Sequence, residues 1–108
     1  MSSYLFIHSH EVLAQPSLTS MVALIEQLAL GGHSVRLLLV QNGVMMVRLG
    51  ASIDGLQRLL DCGVSVTTDR FSLQQREILT GQIREDVGID EISIVIDALL
   101  QGEKVIWM

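Results

Sequence analysis

The residues of this chain best suited to chemistry are His8 and His10, Gln41-Asn42-Gly43, and Asp69-Arg70. Each group follows directly on a short strand-like run, apolar at residues 4–7 and 35–40 and β-branched at 64–68. An imidazole, a carboxyl and amide groups gathered at strand exits would form an acid–base site or a polar cradle for a small molecule. The plainer reading of the same residues is ordinary loop polarity. His8 and His10 are two apart in an extended exit, so they face one side, and with an aspartate they would offer metal ligands. No third or fourth ligand stands at a matching spacing, so no metal is expected.

Cys62 is the chain's single cysteine. It stands at the end of a predicted helix, just before Gly63. The partial negative charge of a helix C-terminus and the neighbouring Asp61 both disfavour a thiolate there. Cys62 is therefore a weak catalytic candidate, and it belongs to the opposite edge from the strand exits. One cysteine also rules out a disulfide within the chain. Asp69 lies close to the start of the next helix, with Arg70 and Arg76 following. A cap-region acid is the simple reading of it, and a site acid the sharper one.

These residues need a frame that brings the strand exits to one rim. The run at 35–40 is apolar without alternation, which is the pattern of a strand buried on both faces. Gln41-Asn42-Gly43 then turns the chain. Residues 8–16 read as a loop ending at Pro16, with Ser17 or Thr19 capping the next helix. In that helix Met21, Val22, Ile25, Leu28 and Ala29 face the core, and Gly31-Gly32 closes it. Residues 45–50 are either a helical turn or extended. Ser52 caps a helix carrying Ile53, Leu56, Leu59 and Leu60, which Gly63 ends. Ser72 and Gln75 form a capping box for a helix over 71–79. Residues 80–89 hold a short edge strand near Val87. Asp90 caps a last helix with an apolar stripe of Ile92, Val95, Ile96, Leu99 and Leu100. A final strand covers 104–108. Strands alternating with helices predict a single α/β domain over residues 1–108. It is an open parallel sheet of about five strands, Rossmann-like and three-layered, with helices on both faces and right-handed crossovers.

Composition narrows the function classes. The chain has 108 residues, 49% of them apolar, only 4% aromatic, with a net charge of −5. An acidic chain poor in aromatic residues is a poor nucleic-acid binder. No apolar run approaches the ~20 residues of a membrane helix, and the N-terminus lacks a signal-peptide layout, so a cytoplasmic protein is expected. His8-Ser-His-Glu after the first strand has no glycines for a phosphate loop, and no Gly-x-Ser-x-Gly elbow occurs, so neither a nucleotide cofactor nor a common hydrolase is indicated. High apolar content and Met45-Met46 beside a turn predict surface covered by another subunit.

Three segments carry a family likeness: Leu37-Leu-Leu-Val-Gln-Asn-Gly-Val44, Gly63-Val-Ser-Val-Thr-Thr-Asp69 and Lys104-Val-Ile-Trp107. In order and spacing the chain resembles the DsrE/DsrF/DsrH superfamily of sulfur-relay proteins, which includes the TusB/TusC/TusD subunits. The run into Gln-Asn-Gly-Val and the tryptophan close to the C-terminus look most like the DsrH/TusB branch. The resemblance implies a five-stranded parallel domain that assembles into trimers or hexamers, with itself or with DsrE-like paralogues. It also implies that any link to nucleic acid, such as tRNA thiolation, is indirect. Family members that transfer sulfur carry a persulfide cysteine just after the third strand, where this chain has Asp69. Some DsrH-type members have a cysteine in the first helix, where this chain has none. The resemblance therefore implies an assembly or regulatory subunit in sulfur trafficking. The alternative is a small-molecule-binding or enzymatic domain using His8, His10, Asn42 and Asp69.

Overall fold

The computed structural model describes residues 2–10, 16–51 and 54–108, with the side chains of 16–19 and 54 excluded. Its strands are β1 (Ser3–His8), β2 (Ser34–Leu39), β3 (Ser65–Asp69), β4 (Gly88–Asp90) and β5 (Lys104–Trp107). Its helices are α1 (Pro16–Leu30), α2 (Asp54–Asp61), α3 (Arg70–Gln75) and α4 (Ser93–Leu100), and a 3-10 helix spans Gln41–Val47. The five strands lie in the order β4-β3-β2-β1-β5 with every neighbouring pair parallel. The predicted α/β class and parallel sheet are therefore observed.

Side-chain alternation divides the core into two layers. Phe6, Leu37, Leu39 and Val66 pack with Met21, Val22 and Ile25 of α1, Leu56 and Leu59 of α2, and Leu73 of α3. Leu5, Ile7, Leu38 and Val40 face the other way and pack with Ala98, Ile94 and Val95 of α4. Leu37, Leu38 and Leu39 are all fully buried, as a run without alternation requires. So α1, α2 and α3 cover one face, and among the described helices α4 alone covers the other.

Several local expectations are corrected. Pro16 is the first residue of α1, where a missing N–H costs nothing, so Ser17 and Thr19 fall inside the helix and do not cap it. The Ser52 cap and Ile53 lie outside the described residues. Ser72 does not cap α3. Asp69 does, accepting the Ser72 N–H, and the helix ends at Gln75. Asp90 belongs to β4, paired with Asp69 of β3, and Ile92 stands at the α4 N-cap. Met46 is buried in the main core and Met45 is half-buried, so this pair is not a free apolar surface. The α4 stripe is also misplaced: Ile92, Ile96, Leu99 and Leu100 are 50–81% exposed. Ala98 faces the sheet in their stead, because its small side chain lets the helix axis approach Leu5 and Leu38 closely.

Candidate functional site

Parallel strands put every strand exit on one rim. The connection from β3 leads to α3 on one face, and that from β4 leads to α4 on the other. The rim therefore has its topological switch between β3 and β4, the place where open α/β sheets form their crevices. A recess of about 260 Å³ opens on this rim, lined from the β2 and β3 exits, from α3, from the α4 N-cap and from β5. Val40, Asp69 and Ser72 form its buried base, and Phe71, Ile92 and Trp107 form its exposed rim.

Asp69 and Ser72 are tied together at the rim. Asp69 Oδ2 accepts the Ser72 backbone N–H at 3.1 Å and the Ser72 hydroxyl at 2.7 Å. The same hydroxyl oxygen accepts the Gln41 backbone N–H at 2.8 Å. A chain of hydrogen bonds thus ties the exit of β2 to the exit of β3. Gln41 takes a left-handed backbone (φ 51°) to make this contact. The other oxygen, Asp69 Oδ1, is shielded from solvent and has no hydrogen-bond partner among the described residues. An unsatisfied buried acceptor costs about 1–3 kcal/mol.

The other candidates point elsewhere. His8 is 9% exposed, and its Nδ1–H donates to the Met108 carbonyl at 3.2 Å. Burial pushes its pKa below the ordinary 6.5, a shift only partly offset by that carbonyl and reinforced by nearby His10. The two imidazoles do meet, edge to face, with centroids 5.9 Å apart. Asn42 Oδ1 accepts from the Arg76 guanidinium at 2.9 and 3.2 Å. Arg70 pairs with Glu91 at 2.7 Å. So the recess brings together Gln41 and Asp69, while His8, His10, Asn42 and Arg70 do not line it. Among the described residues no cluster of three or more His, Cys, Asp or Glu side chains is arranged to hold a metal.

Gly43 matters through close approach. A Cβ there would stand 2.5 Å from the His8 carbonyl oxygen, which also accepts the Val40 N–H at 3.0 Å. The Asn-Gly pair thus lets the β2 exit lie against the β1 exit, and the left-handed residue of the turn is Gln41.

Cys62 follows α2 at the opposite edge of the sheet and is half-buried. Its Sγ lies 3.8 Å from Glu26 Oε2, and Glu26 in turn pairs with Arg58 at 2.7 Å. Burial first, then the charge and hydrogen bond of Glu26, raise the thiol pKa above its usual value. This is the reverse of what a nucleophilic thiol needs.

Sequence reasoning passed over Trp107, Phe71, Ser72 and Ile92 as site residues. The available signal was Trp107, the sole tryptophan, at the exit of the last strand. A larger cavity of about 670 Å³ runs under α3, beside Leu73, Ile78, Leu79 and Ile89. Its charged lining residue is Arg70, which Glu91 already engages, so it offers less chemistry than the smaller recess.

No helix among the described residues is long and apolar enough to cross a membrane. No protein-family model matches the chain, and no curated relative does. Solved structures do match in fold. The ychN protein from E. coli is 20% identical with a TM-score of 0.82, each chain covering the other completely. The protein of unknown function MTH1491 from Methanobacterium thermoautotrophicum is 12% identical with a TM-score of 0.85, again over 100% of both chains. The conserved protein of unknown function BT1422 from Bacteroides thetaiotaomicron is 11% identical with a TM-score of 0.75, over 96% of this chain and 94% of its own. At these identities the likeness is one of fold: the whole chain is similar to small α/β proteins of the same architecture.

Proposed function

We propose that this protein is a DsrE/DsrF/DsrH-like subunit of a sulfur relay that does not itself carry sulfur and acts by assembling with a cysteine-bearing partner. The observation that carries this reading is Asp69. It stands at the β3 exit, where the resemblance expects a persulfide cysteine, and its carboxyl is committed to Ser72 and to the β2–β3 link. A carboxyl cannot bear a persulfide. The one thiol lies at the far edge beside Glu26. The exposed Ile92, Ile96, Leu99 and Leu100 of α4 support a partner-covered face.

Incubation with polysulfide followed by intact-mass measurement tests the first part. We expect no adduct that passes to an acceptor thiol. A gain of roughly 32 Da on Cys62 that then moves to an acceptor overturns the reading. Light scattering tests the second part: a particle heavier than one 11.9 kDa chain is expected, and a monomer at micromolar concentration counts against assembly.

The recess at Asp69 favours a second reading, a small-molecule-binding domain. That reading requires a ligand that raises the melting temperature of the wild-type protein and fails to do so in a Trp107→Ala variant.

A further inference from the structure

The arginines of this acidic chain are not all alike. Arg36, Arg58, Arg70 and Arg84 each pair with a carboxylate, at 2.7–2.8 Å. Arg48 and Arg76 have no carboxylate partner among the described residues. These two line the same cavity, of about 430 Å³, beside Gly81 and Gln82.

Both are held on fixed backbone. Arg48 is bridged to Ile83 in an antiparallel contact, and the flanking segments exchange hydrogen bonds, Leu49 N–H to the Gln82 carbonyl at 2.8 Å and Arg84 N–H to the Val47 carbonyl at 2.9 Å. Arg76 closes α3, and its guanidinium is oriented by Asn42 Oδ1 and by the Ser72 carbonyl at 3.2 Å. Those contacts use three of the five N–H groups of a guanidinium, so two remain to donate. The Arg48 side chain makes no hydrogen bond or ion pair among the described residues and keeps its whole fork. Glu77 also lines the cavity and is exposed, so it stands at the rim with its charge in water.

We propose that this cavity is a binding site for a small tetrahedral oxyanion of the phosphate or sulfate kind, clamped between Arg48 and Arg76. In a chain with net charge −5, two arginines without a paired carboxylate line one hollow and leave N–H donors free for an anion from outside. The planar guanidinium fork matches two oxygens of such a group. The pre-ordered Arg76 lowers the ordering cost of binding. The same chemistry serves a free ion and the terminal group of a small metabolite. The site does not depend on the sulfur reading, because anion binding and persulfide formation are measured separately.

The test is a titration of the isotopically labelled protein with inorganic phosphate, sulfate and thiosulfate, following the side-chain Nε–H signals of Arg48 and Arg76 by NMR. Sodium chloride at matched ionic strength is the control. We expect both signals to shift saturably with at least one oxyanion and to stay unsaturated with chloride. Arg48→Gln changes an exposed side chain and leaves the fold intact, and it should weaken binding by about tenfold or more, as loss of a charged hydrogen bond implies. Arg76→Lys keeps the charge and loses the fork, and it should weaken binding as well. A parallel titration with phenyl phosphate separates the sources: tighter binding than inorganic phosphate favours a metabolite, and equal or weaker binding favours the free ion. Shifts that merely track ionic strength, or an Arg48→Gln protein that binds as the parent does, overturn the proposal.

Discussion

The two edges of the sheet hold their reactive groups in opposite ways. At the exit rim Asp69 is buried, hydrogen-bonded through one oxygen and built into the link between β2 and β3. At the other edge Cys62 is half-buried, and burial first, then the Glu26 carboxylate, push its thiol pKa up. The rim residue helps to link two strand exits, and among the described residues the thiol reaches only Glu26. Location in the fold therefore says more about each group than its intrinsic reactivity.

The sharpest way to break that contrast is Gly43→Ala. Its Cβ would meet the His8 carbonyl at 2.5 Å, and both partners are backbone, so the β1 and β2 exits must separate. We expect a loss of about 2–3 kcal/mol in urea denaturation, the upper range for overpacking. An unchanged midpoint would show that the rim tolerates displacement.

Asp69→Ala comes next. Losing both Ser72 contacts, one of which is the α3 cap, should cost about 1–2 kcal/mol, whereas Asp69→Asn, which can still cap, should stay within about 0.5 kcal/mol of the parent. If the asparagine variant falls as far as the alanine one, the charge and not the hydrogen bonding holds the rim.

A smaller effect follows from His8. Its folded pKa lies below the unfolded value near 6.5, so the unfolded chain takes up the proton first as pH falls. The stability from neutral His8 is complete above about pH 6.5, declines as pH drops towards the folded pKa, and is constant below it. His8→Gln should flatten that slope between pH 7.5 and the onset of carboxylate titration in denaturation series. An identical slope in the variant would assign the dependence to another group.

The least consequence is expected at the thiol edge. Cys62→Ala should shift stability by no more than about 0.5 kcal/mol, as ordinary surface changes do. Glu26→Gln removes the carboxylate that helps hold the proton on sulfur, so the pH midpoint of Cys62 alkylation should move down. A midpoint that rises or stays fixed would mean burial alone sets the thiol.

The sheet was legible because unalternated runs such as Leu37-Leu-Leu39 leave a chain no half-exposed option. Helix faces were less so. α4 is apolar on nearly every side, so periodicity admits several stripes, and Ala98 wins through size, a property that hydrophobicity does not encode. Caps failed in a related way. Asp69 and Ser72 both carry capping side chains three residues apart, and the choice between them depends on where β3 stops, which Asp90 pairing in β4 fixes from a distance. At the site, Asp69 and Gln41 were legible as rim residues by chain order alone. Trp107 and Ile92 were not, because sharing a recess with Asp69 depends on β4 pairing with β3 and β5 pairing with β1, which no local pattern encodes.

That last placement bears on how the protein is made. β5 is built from residues 104–107 yet lies beside β1, near the beginning of the chain. During synthesis the first four strands can dock in the order they emerge, each next to its predecessor. The outer flank of β1 then stays bare until residues 104–107 have emerged. A chain lacking residues 104–107 would leave Leu5 and Ile7 beside an open strand edge, a template for misassembly with other nascent chains.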